Sequence, residues 1–272
     1  MTDPLSSLIQ AVEDAYSPTQ LIQAVENLAA IRLEGAIPTL VKTLSYNNPG
    51  AAVAAVEGLI QMGEVSVPGL MDLLDQHNYT ARAWAIRALA GIGDPRGLVT
   101  LLGAATADFS LSVRRAAARG LGTMKWHWFP EDVLEMAQNE ALEALLFVAQ
   151  QDEEWVVRYS AVVGLESLVQ ATANLHPEWR SQIQSQFDQM IAADDSLTVR
   201  ARVCKAQQEL LTETPAQPAA SHQPSPLNEV DWQRILENLY QRKGEERQVL
   251  AEGDPRRYHG LAIALSQKAE EP

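Results

Sequence analysis

A short phrase that recurs five times along the chain limits the fold more than any other feature. The copies read AVENLAAI, AVEGLIQMG, AIRALAGIG, AARGLGTMK and AVVGLESLV, and a leucine occupies the same place in each. These leucines lie 31, 30, 32 and 44 residues apart, at Leu28, Leu59, Leu89, Leu121 and Leu165. A period of about 30–45 residues is typical of a pair of short helices with its turns. The sequence therefore predicts an all-α solenoid of stacked helix pairs.

Each repeat divides into a first helix, a polar turn and an alanine-rich second helix. Pro38 and Pro68 lie near the start of predicted first helices, where a missing N–H is tolerated. No segment shows the alternation of apolar and polar residues that predicts a strand. Small residues in the second helices predict close approach between neighbouring pairs, and the second helices should line the concave side.

An arginine lies seven residues before the repeat leucine from the third repeat onward. These residues are Arg82, Arg114 and Arg158, and Arg200 opens a degenerate sixth repeat. The register resembles that of HEAT repeats, in which this arginine ties a second helix to a neighbouring turn. We therefore expect about five to six HEAT-like helix pairs over residues 1–211, with structural arginines.

The composition changes after residue 211. Residues 212–226 contain four prolines and almost no large apolar side chains, which predicts a linker. Residues 227–272 begin with an amphipathic helix, and its apolar stripe needs a surface to lie against. We expect a partner protein to supply it, with the solenoid as the alternative; the predicted partner-interface residues are Trp232, Leu236, Leu239 and Tyr240.

Charge is distributed unevenly along the chain. The net charge of -14 argues against the phosphate contacts that dominate nucleic-acid binding. Residues 79–125 nevertheless carry seven basic and two acidic side chains, a net charge of +5. A cationic segment in an acidic protein indicates an anionic ligand of limited size.

Other classes of protein are disfavoured by what the sequence contains. The single cysteine, Cys204, is expected to be buried, and five scattered histidines offer no metal-ligand spacing. The N-terminus has acids where a signal peptide carries positive charge, and no apolar run approaches the length of a membrane span. We expect a soluble, cytoplasmic protein without a metal.

The candidate ligand-binding residues follow each register arginine by one and by five positions, off the apolar stripe. Arg87, Arg115 and Arg119 occupy such positions and could bind carboxylates as bidentate partners; a solvated basic face is the alternative. Aromatic side chains near this segment could stack on a flat conjugated ligand, although packing in the core or in turns is favoured for most of them. They are Trp84, Trp126, Trp128, Trp155 and Tyr159.

Two stretches, RRAAARGLGTMKW and DEEWVVRYSAVVGLESL, resemble the E subunit of the E/F-type phycobilin lyases, and the likeness covers approximately residues 18–211. The resemblance implies a heterodimer with an F-type subunit, itself HEAT-like. It also implies that the pair joins phycocyanobilin by a thioether to a cysteine of the phycocyanin alpha subunit. Phycocyanobilin is then the substrate, and no cofactor is expected.

The resemblance also implies roles for residues. The arginines would hold the pigment's propionates, and an aspartate would protonate the bilin as the thiolate adds; Asp94 and Asp108 are the candidates, although both also fit turn and cap positions. Family members that isomerise the bilin carry a cysteine motif in their F subunit, and the absence of a Cys-rich motif here favours ligation alone. A non-catalytic adaptor that binds a protein partner, or a bilin chaperone, remains the alternative.

Overall fold

The structure, a computed structural model, describes residues 3–74, 78–172, 176–212, 234–235 and 237–241. The chain forms two compact units, Met1–Asn228 and Glu229–Pro272. The described residues contain helices and turns but no strand, which confirms the all-α prediction.

The first unit contains six helix pairs within its described residues. The first and second helices of the pairs follow each other in order as α1 Pro4–Glu13 and α2 Pro18–Ala30, α3 Ile37–Thr43 and α4 Pro49–Met62, α5 Val67–Leu74 and α6 Tyr79–Ile92, α7 Leu98–Ala107 and α8 Leu111–Gly122, α9 Glu131–Gln151 and α10 Trp155–Thr172, and α11 Pro177–Ala193 and α12 Leu197–Thr212. This number agrees with the five to six pairs predicted from the repeat.

The helices form two layers. The second helices pack in sequence, α2 on α4, α4 on α6, α6 on α8, α8 on α10 and α10 on α12. The first helices pack beside one another in the other layer, for example α7 on α9 and α9 on α11. All five repeat leucines are buried, so the leucine of the repeated phrase lies on the core side of each second helix.

Glycines allow two second helices to touch through their backbones. A Cβ atom on Gly164 of α10 would lie 2.5 Å from the carbonyl oxygen of Ala118 in α8, and one on Gly122 would collide with the backbone of Gly164. A Cβ atom on Gly120 would likewise lie 2.6 Å from the Cβ of Ala90 in α6. The predicted close approach of second helices is confirmed at these positions.

The stretch between the fourth and fifth leucines is longer because of an extended first helix. Trp126–Trp128 form a 3₁₀ turn, after which α9 runs for 21 residues. Trp126 is buried against Phe129, with ring centroids 5.2 Å apart. Upstream, Gly93 ends α6 in the left-handed conformation with φ 68°, so the Gly-rich stretch at 91–97 leads into the turn between two repeats.

Two expectations differ from the structure. Cys204 is exposed, not buried, because it lies one position off the buried row of α12 that includes Val203 and Ala206. The segment Pro49–Leu74 is long and apolar enough, by length and composition, to be a candidate membrane span. It consists of α4 and α5 with a break at Gly63, and half of its apolar window is buried in the fold. Packing within the helical layers accounts for its apolar character.

The second unit is described only at residues 234–235 and 237–241, which are helical. Leu239 is buried and Tyr240 is exposed. Trp232, Leu236 and the expected linker beyond Thr212 lie outside the described residues. The partner interface predicted for this tail stays a prediction.

Candidate functional site: a cationic groove

Three of the four register arginines, Arg82, Arg114 and Arg158, pair with aspartates in the turns between helices, as predicted. Arg114 in α8 donates from Nε to Asp152 Oδ2 at 2.7 Å and from Nη2 to Oδ1 at 3.1 Å. Its Nη1 also donates to the carbonyl oxygen of Asp108 at 2.9 Å. The hydrogen bond from Arg114 to Asp152 raises the pKa of this guanidinium. Arg114 therefore ties α8 to the turn of the next pair.

Arg158 repeats this arrangement one pair later. Its Nε and Nη2 donate to the carboxylate of Asp194 at 2.8 and 3.0 Å, and its Nη1 donates to the carbonyl of Asp152 at 2.9 Å. Arg82 Nη2 of α6 lies 3.8 Å from Oδ2 of Asp108, at the end of α7 in the next pair. The aspartates Asp108, Asp152 and Asp194 and their arginines thus form a ladder along one edge of the stack.

A groove with a volume of about 590 Å³ opens on the second helices α6, α8 and α10. Its walls include Arg87 from α6, Arg115 and Arg119 from α8, and Tyr159 and Val163 from α10. All five occupy the positions one and five residues after a register arginine. The prediction that these positions face a groove is confirmed for both positions of α8 and α10 and for Arg87 of α6, whereas Ala83 of α6 does not line the groove.

Helix geometry explains why neighbouring arginines separate. Residues four apart lie on one helix face, so Arg115 and Arg119 point the same way from α8. Arg114 lies about 100° further around the helix, where it reaches the turn of the next pair. Ala90 and Gly120 at the groove's floor have little or no side chain, which leaves space between the walls.

The groove is positively charged and lacks an internal counter-charge. Arg87, Arg115 and Arg119 form no ion pair with any residue among those the structure describes. Burial lowers the pKa of the Arg87 guanidinium, and the positive charge of Arg115 lowers it further. Arg87 also lies over the ring of Trp84, 4.5 Å from its centroid. These three arginines are therefore available to an anionic ligand.

The aromatic candidates are dispersed. Tyr159 lines the groove, and Trp84 adjoins it through Arg87. Trp126 belongs to the core, and the ring of Trp128 lies 3.9 Å below Lys125 Nζ. Trp155 is exposed at the start of α10. The structure thus brings one of the five rings into the groove wall and a second beside it.

The candidate aspartates have structural partners instead of a place in the groove. Asp94 accepts hydrogen bonds from the Nε and the backbone N–H of Arg96, at 2.8 and 2.9 Å. Asp108 accepts from the Tyr79 hydroxyl at 3.1 Å and from the Ser110 N–H at 2.8 Å. Neither lines the groove, and both match the turn and cap alternative.

The sequence did not predict a buried ion pair that lies next to the groove residue Tyr159. Arg202 of α12 donates to Glu166 of α10 and lies over the ring of Tyr159, 5.9 Å from its centroid. Burial raises the pKa of Glu166, as does the neighbouring Glu209, while Arg202 opposes both. The signal was present, because Glu166 follows the repeat leucine where other repeats have a small or apolar residue.

Comparison with known proteins identifies the family. A family model described as HEAT repeats matches residues 67–166, which include the groove. The chain is 61% identical to the phycocyanobilin lyase subunit beta of Pseudanabaena tenuis, over 98% of this chain and 99% of that protein. The chain belongs to the beta, or CpcF-type, family of phycocyanobilin lyase subunits.

Two further comparisons agree with this family. The chain is 49% identical to the phycocyanin alpha phycocyanobilin lyase CpcF of Synechocystis sp., over 70% of this chain and 88% of that protein. It is 48% identical to a chain of the solved complex of CpcE and CpcF of phycocyanin lyase from Nostoc sp.. That match has a TM-score of 0.58 and covers 63% of this chain and 98% of the other.

The expectation of an E-type subunit is wrong, since the relatives are beta-type. The phrases RRAAARGLGTMKW and DEEWVVRYSAVVGLESL, on which it was based, belong to the repeat helices α8 and α10. Helix packing and the arginine ladder dictate most of these residues. Residues that repeat packing dictates do not distinguish the subunit type.

Proposed function

We propose that this chain is the F-type subunit of a heterodimeric lyase that attaches phycocyanobilin by a thioether to a cysteine of the phycocyanin alpha subunit. The partner is an E-type, HEAT-like subunit, the reverse of the pairing expected from the sequence. The observation that carries the proposal is the groove with Arg87, Arg115 and Arg119 and no counter-charge among the described residues. The names of the beta-type relatives support the pigment and the acceptor.

The groove suits a flat dicarboxylate. Arg115 and Arg119 lie one turn apart, about 5–6 Å between their Cβ atoms, and Arg87 extends from the neighbouring helix. Each guanidinium can donate two parallel hydrogen bonds to a propionate. The volume of about 590 Å³ lies within the range of small-molecule sites. Tyr159 and Trp84 add aromatic surface on which a conjugated ring can stack.

The chain's role in the reaction is to hold and orient the pigment. The acceptor's cysteine sulfur attacks the ethylidene group of the bilin, a carbon–sulfur bond forms, the double bond opens, and a proton adds to the adjoining carbon. Fixing two reactants in register contributes up to about 7–11 kcal/mol to lowering a barrier. Asp94 and Asp108 are engaged in turns, so we assign the proton donor to neither.

Ligation without isomerisation is part of this proposal. The resemblance associates isomerisation with a cysteine motif in the F-type subunit, and this chain has one cysteine, Cys204, on α12 outside the groove. A soluble, cytoplasmic location is also part of the proposal, since a relative from Synechococcus elongatus is named a phycobilisome maturation protein.

The test combines the chain, an E-type subunit and phycocyanobilin, followed by the apo-alpha acceptor. Pigment bound in the groove changes its visible absorbance, and transfer leaves a coloured acceptor band that survives denaturation. A stable complex with both subunits but no covalent adduct contradicts the proposal. Binding followed by release without an adduct identifies a bilin chaperone, and protein binding without any spectral change identifies an adaptor.

A further inference from the structure

A large apolar residue begins the second helix of each of the last four pairs. Each lies three positions before its register arginine: Tyr79 in α6, Leu111 in α8, Trp155 in α10 and Leu197 in α12. In the two earlier pairs the second helices begin at proline, Pro18 and Pro49. The apolar residues thus recur only in the part of the stack that contains or adjoins the groove.

Three of these four side chains are exposed, and Tyr79 is partly buried. Leu111, Trp155 and Leu197 are 42%, 45% and 75% exposed. Phe109, 77% exposed, stacks on Tyr79 with ring centroids 4.2 Å apart. We call these five residues the apolar rim. Neighbouring helix axes lie about 8–10 Å apart, so the rim is a row along one edge of the stack. An exposed apolar row of this kind marks an interaction surface.

The rim borders the cationic groove. Residues at i, i+4 and i+8 share one helix face, and in α8 these are Leu111, Arg115 and Arg119. In α10, Trp155 lies on the face of the groove residues Tyr159 and Val163. In α8 and α10 a rim residue therefore lies at the start of the helix, and groove residues follow one and two turns later. A protein bound to the rim lies at the mouth of the groove.

Acidic residues flank the rim. Glu153 is exposed and Glu154 partly exposed in the turn that leads to Trp155. The side chain of Asp195, before Leu197, is 88% exposed and also pairs with Arg158. Complementary charge across an interface speeds association and fixes orientation. The surface that matches the rim thus carries apolar side chains beside basic ones.

We infer that the apolar rim docks the acceptor protein through a helical segment that bears apolar and basic side chains beside the reacting cysteine. This inference rests on the proposed function. The rim exposes on the order of 400 Å², taking about 150–250 Å² for a fully exposed large side chain. A stable complex buries about 800 Å² on each partner. The smaller area suits the acceptor, which leaves after each transfer, better than a permanent subunit.

The test measures the affinity of the apo-acceptor for the two-subunit complex, with and without phycocyanobilin. The variant is Leu111→Asp with Leu197→Asp, since acidic residues at helix N-termini are favourable and the fold should be kept. The control is Leu33→Asp, which replaces an exposed leucine remote from the rim residues in sequence. We expect the rim variant to weaken acceptor binding by roughly tenfold or more. Pigment affinity should not change in either variant.

The outcomes distinguish failure of the docking inference from failure of the proposed pigment binding. Acceptor binding that is equal in the rim variant and the control overturns the inference, as does loss of the subunit heterodimer in gel filtration, which would assign the rim to the partner subunit. A homodimer of the free chain that dissolves in the rim variant also overturns it. Weakened acceptor binding, in a complex that never binds the pigment, supports the rim while contradicting the proposed function.

Discussion

Arg114 and Arg115 are adjacent in sequence and have opposite surroundings. Arg114 is bound to the carboxylate of Asp152 by two hydrogen bonds and to a backbone carbonyl by a third. Arg115 faces the groove and has no carboxylate partner among the described residues. Basic side chains therefore divide into a ladder that holds the helix pairs together and a groove whose positive charge is unmatched. The same residue type supports the fold in one region and offers a binding site in the other.

Loss of an ion pair of the ladder should have the largest effect of the variants considered, a decrease in the free energy of unfolding. Arg158→Met leaves the carboxylate of Asp194, whose side chain is 4% exposed, without its counter-charge. Removal of one partner of a buried ion pair costs about 3–5 kcal/mol. Urea denaturation monitored by circular dichroism measures the loss.

Arg200 provides the control for this ladder variant. It occupies the same register position, but its side chain has no ion pair or hydrogen bond to another described residue. Arg200→Met should change the free energy of unfolding by less than about 0.5 kcal/mol. Equal losses in the two variants would show that the arginine position, and not its carboxylate, stabilises the stack.

The contact between α8 and α10 should show the next largest effect. In Gly164→Ala the new Cβ meets the Ala118 carbonyl oxygen, so the helices must separate, at a cost of about 1–3 kcal/mol. Gly103→Ala is the matched control, because no atom lies within 4 Å of its added Cβ and alanine favours the helix by about 0.5–1 kcal/mol. Thermal melts of both variants test this; a Gly164→Ala protein as stable as wild type would show that the helices do not touch here.

The ladder also predicts an acid dependence of stability. Burial by itself would raise the pKa of Asp194, but hydrogen bonds from Arg158 and from the Ser196 N–H outweigh it and hold the pKa below its ordinary value. The stabilisation is therefore complete above about pH 4 and is lost as the pH falls through the lowered pKa. Urea midpoints between about pH 5 and 2 should fall steeply in wild type and less steeply in Asp194→Asn. Identical slopes would contradict this assignment.

Periodicity made part of the molecule predictable. The leucines at repeat spacing, the arginine ladder and the groove positions all follow from the helical period, because a residue's face is fixed once the register is known. Features that depend on one repeat were missed or misassigned. Trp126 is buried by a local 3₁₀ turn, and Cys204 is exposed by a shift of one position from the buried row. Glu166, which pairs with Arg202, occupies a position where the other repeats have a small or apolar residue, so it belongs to one repeat alone.

The repeat pattern could not show which of the two lyase subunits this chain resembles, for a related reason. The phrases that resemble the lyases are those in which packing constrains the residues, so they are the least able to show the subunit type. Whole-chain identity to beta-type relatives decides the matter. The proposed pigment site and the rim depend on the residues that packing leaves free, at the exposed face of the same helices.

The most direct test of the account is the affinity of the two-subunit complex for phycocyanobilin after charge reversal in the groove. Arg115→Glu with Arg119→Glu should weaken pigment binding by about a hundredfold, since each charge-assisted hydrogen bond contributes about 1.5–3 kcal/mol. Lys42→Glu, which reverses an exposed charge on α3 outside the groove, should leave the affinity unchanged. The melting temperature should stay at the wild-type value in both variants. Unchanged pigment affinity in the folded Arg115 and Arg119 variant would contradict the central claim that this groove holds the pigment.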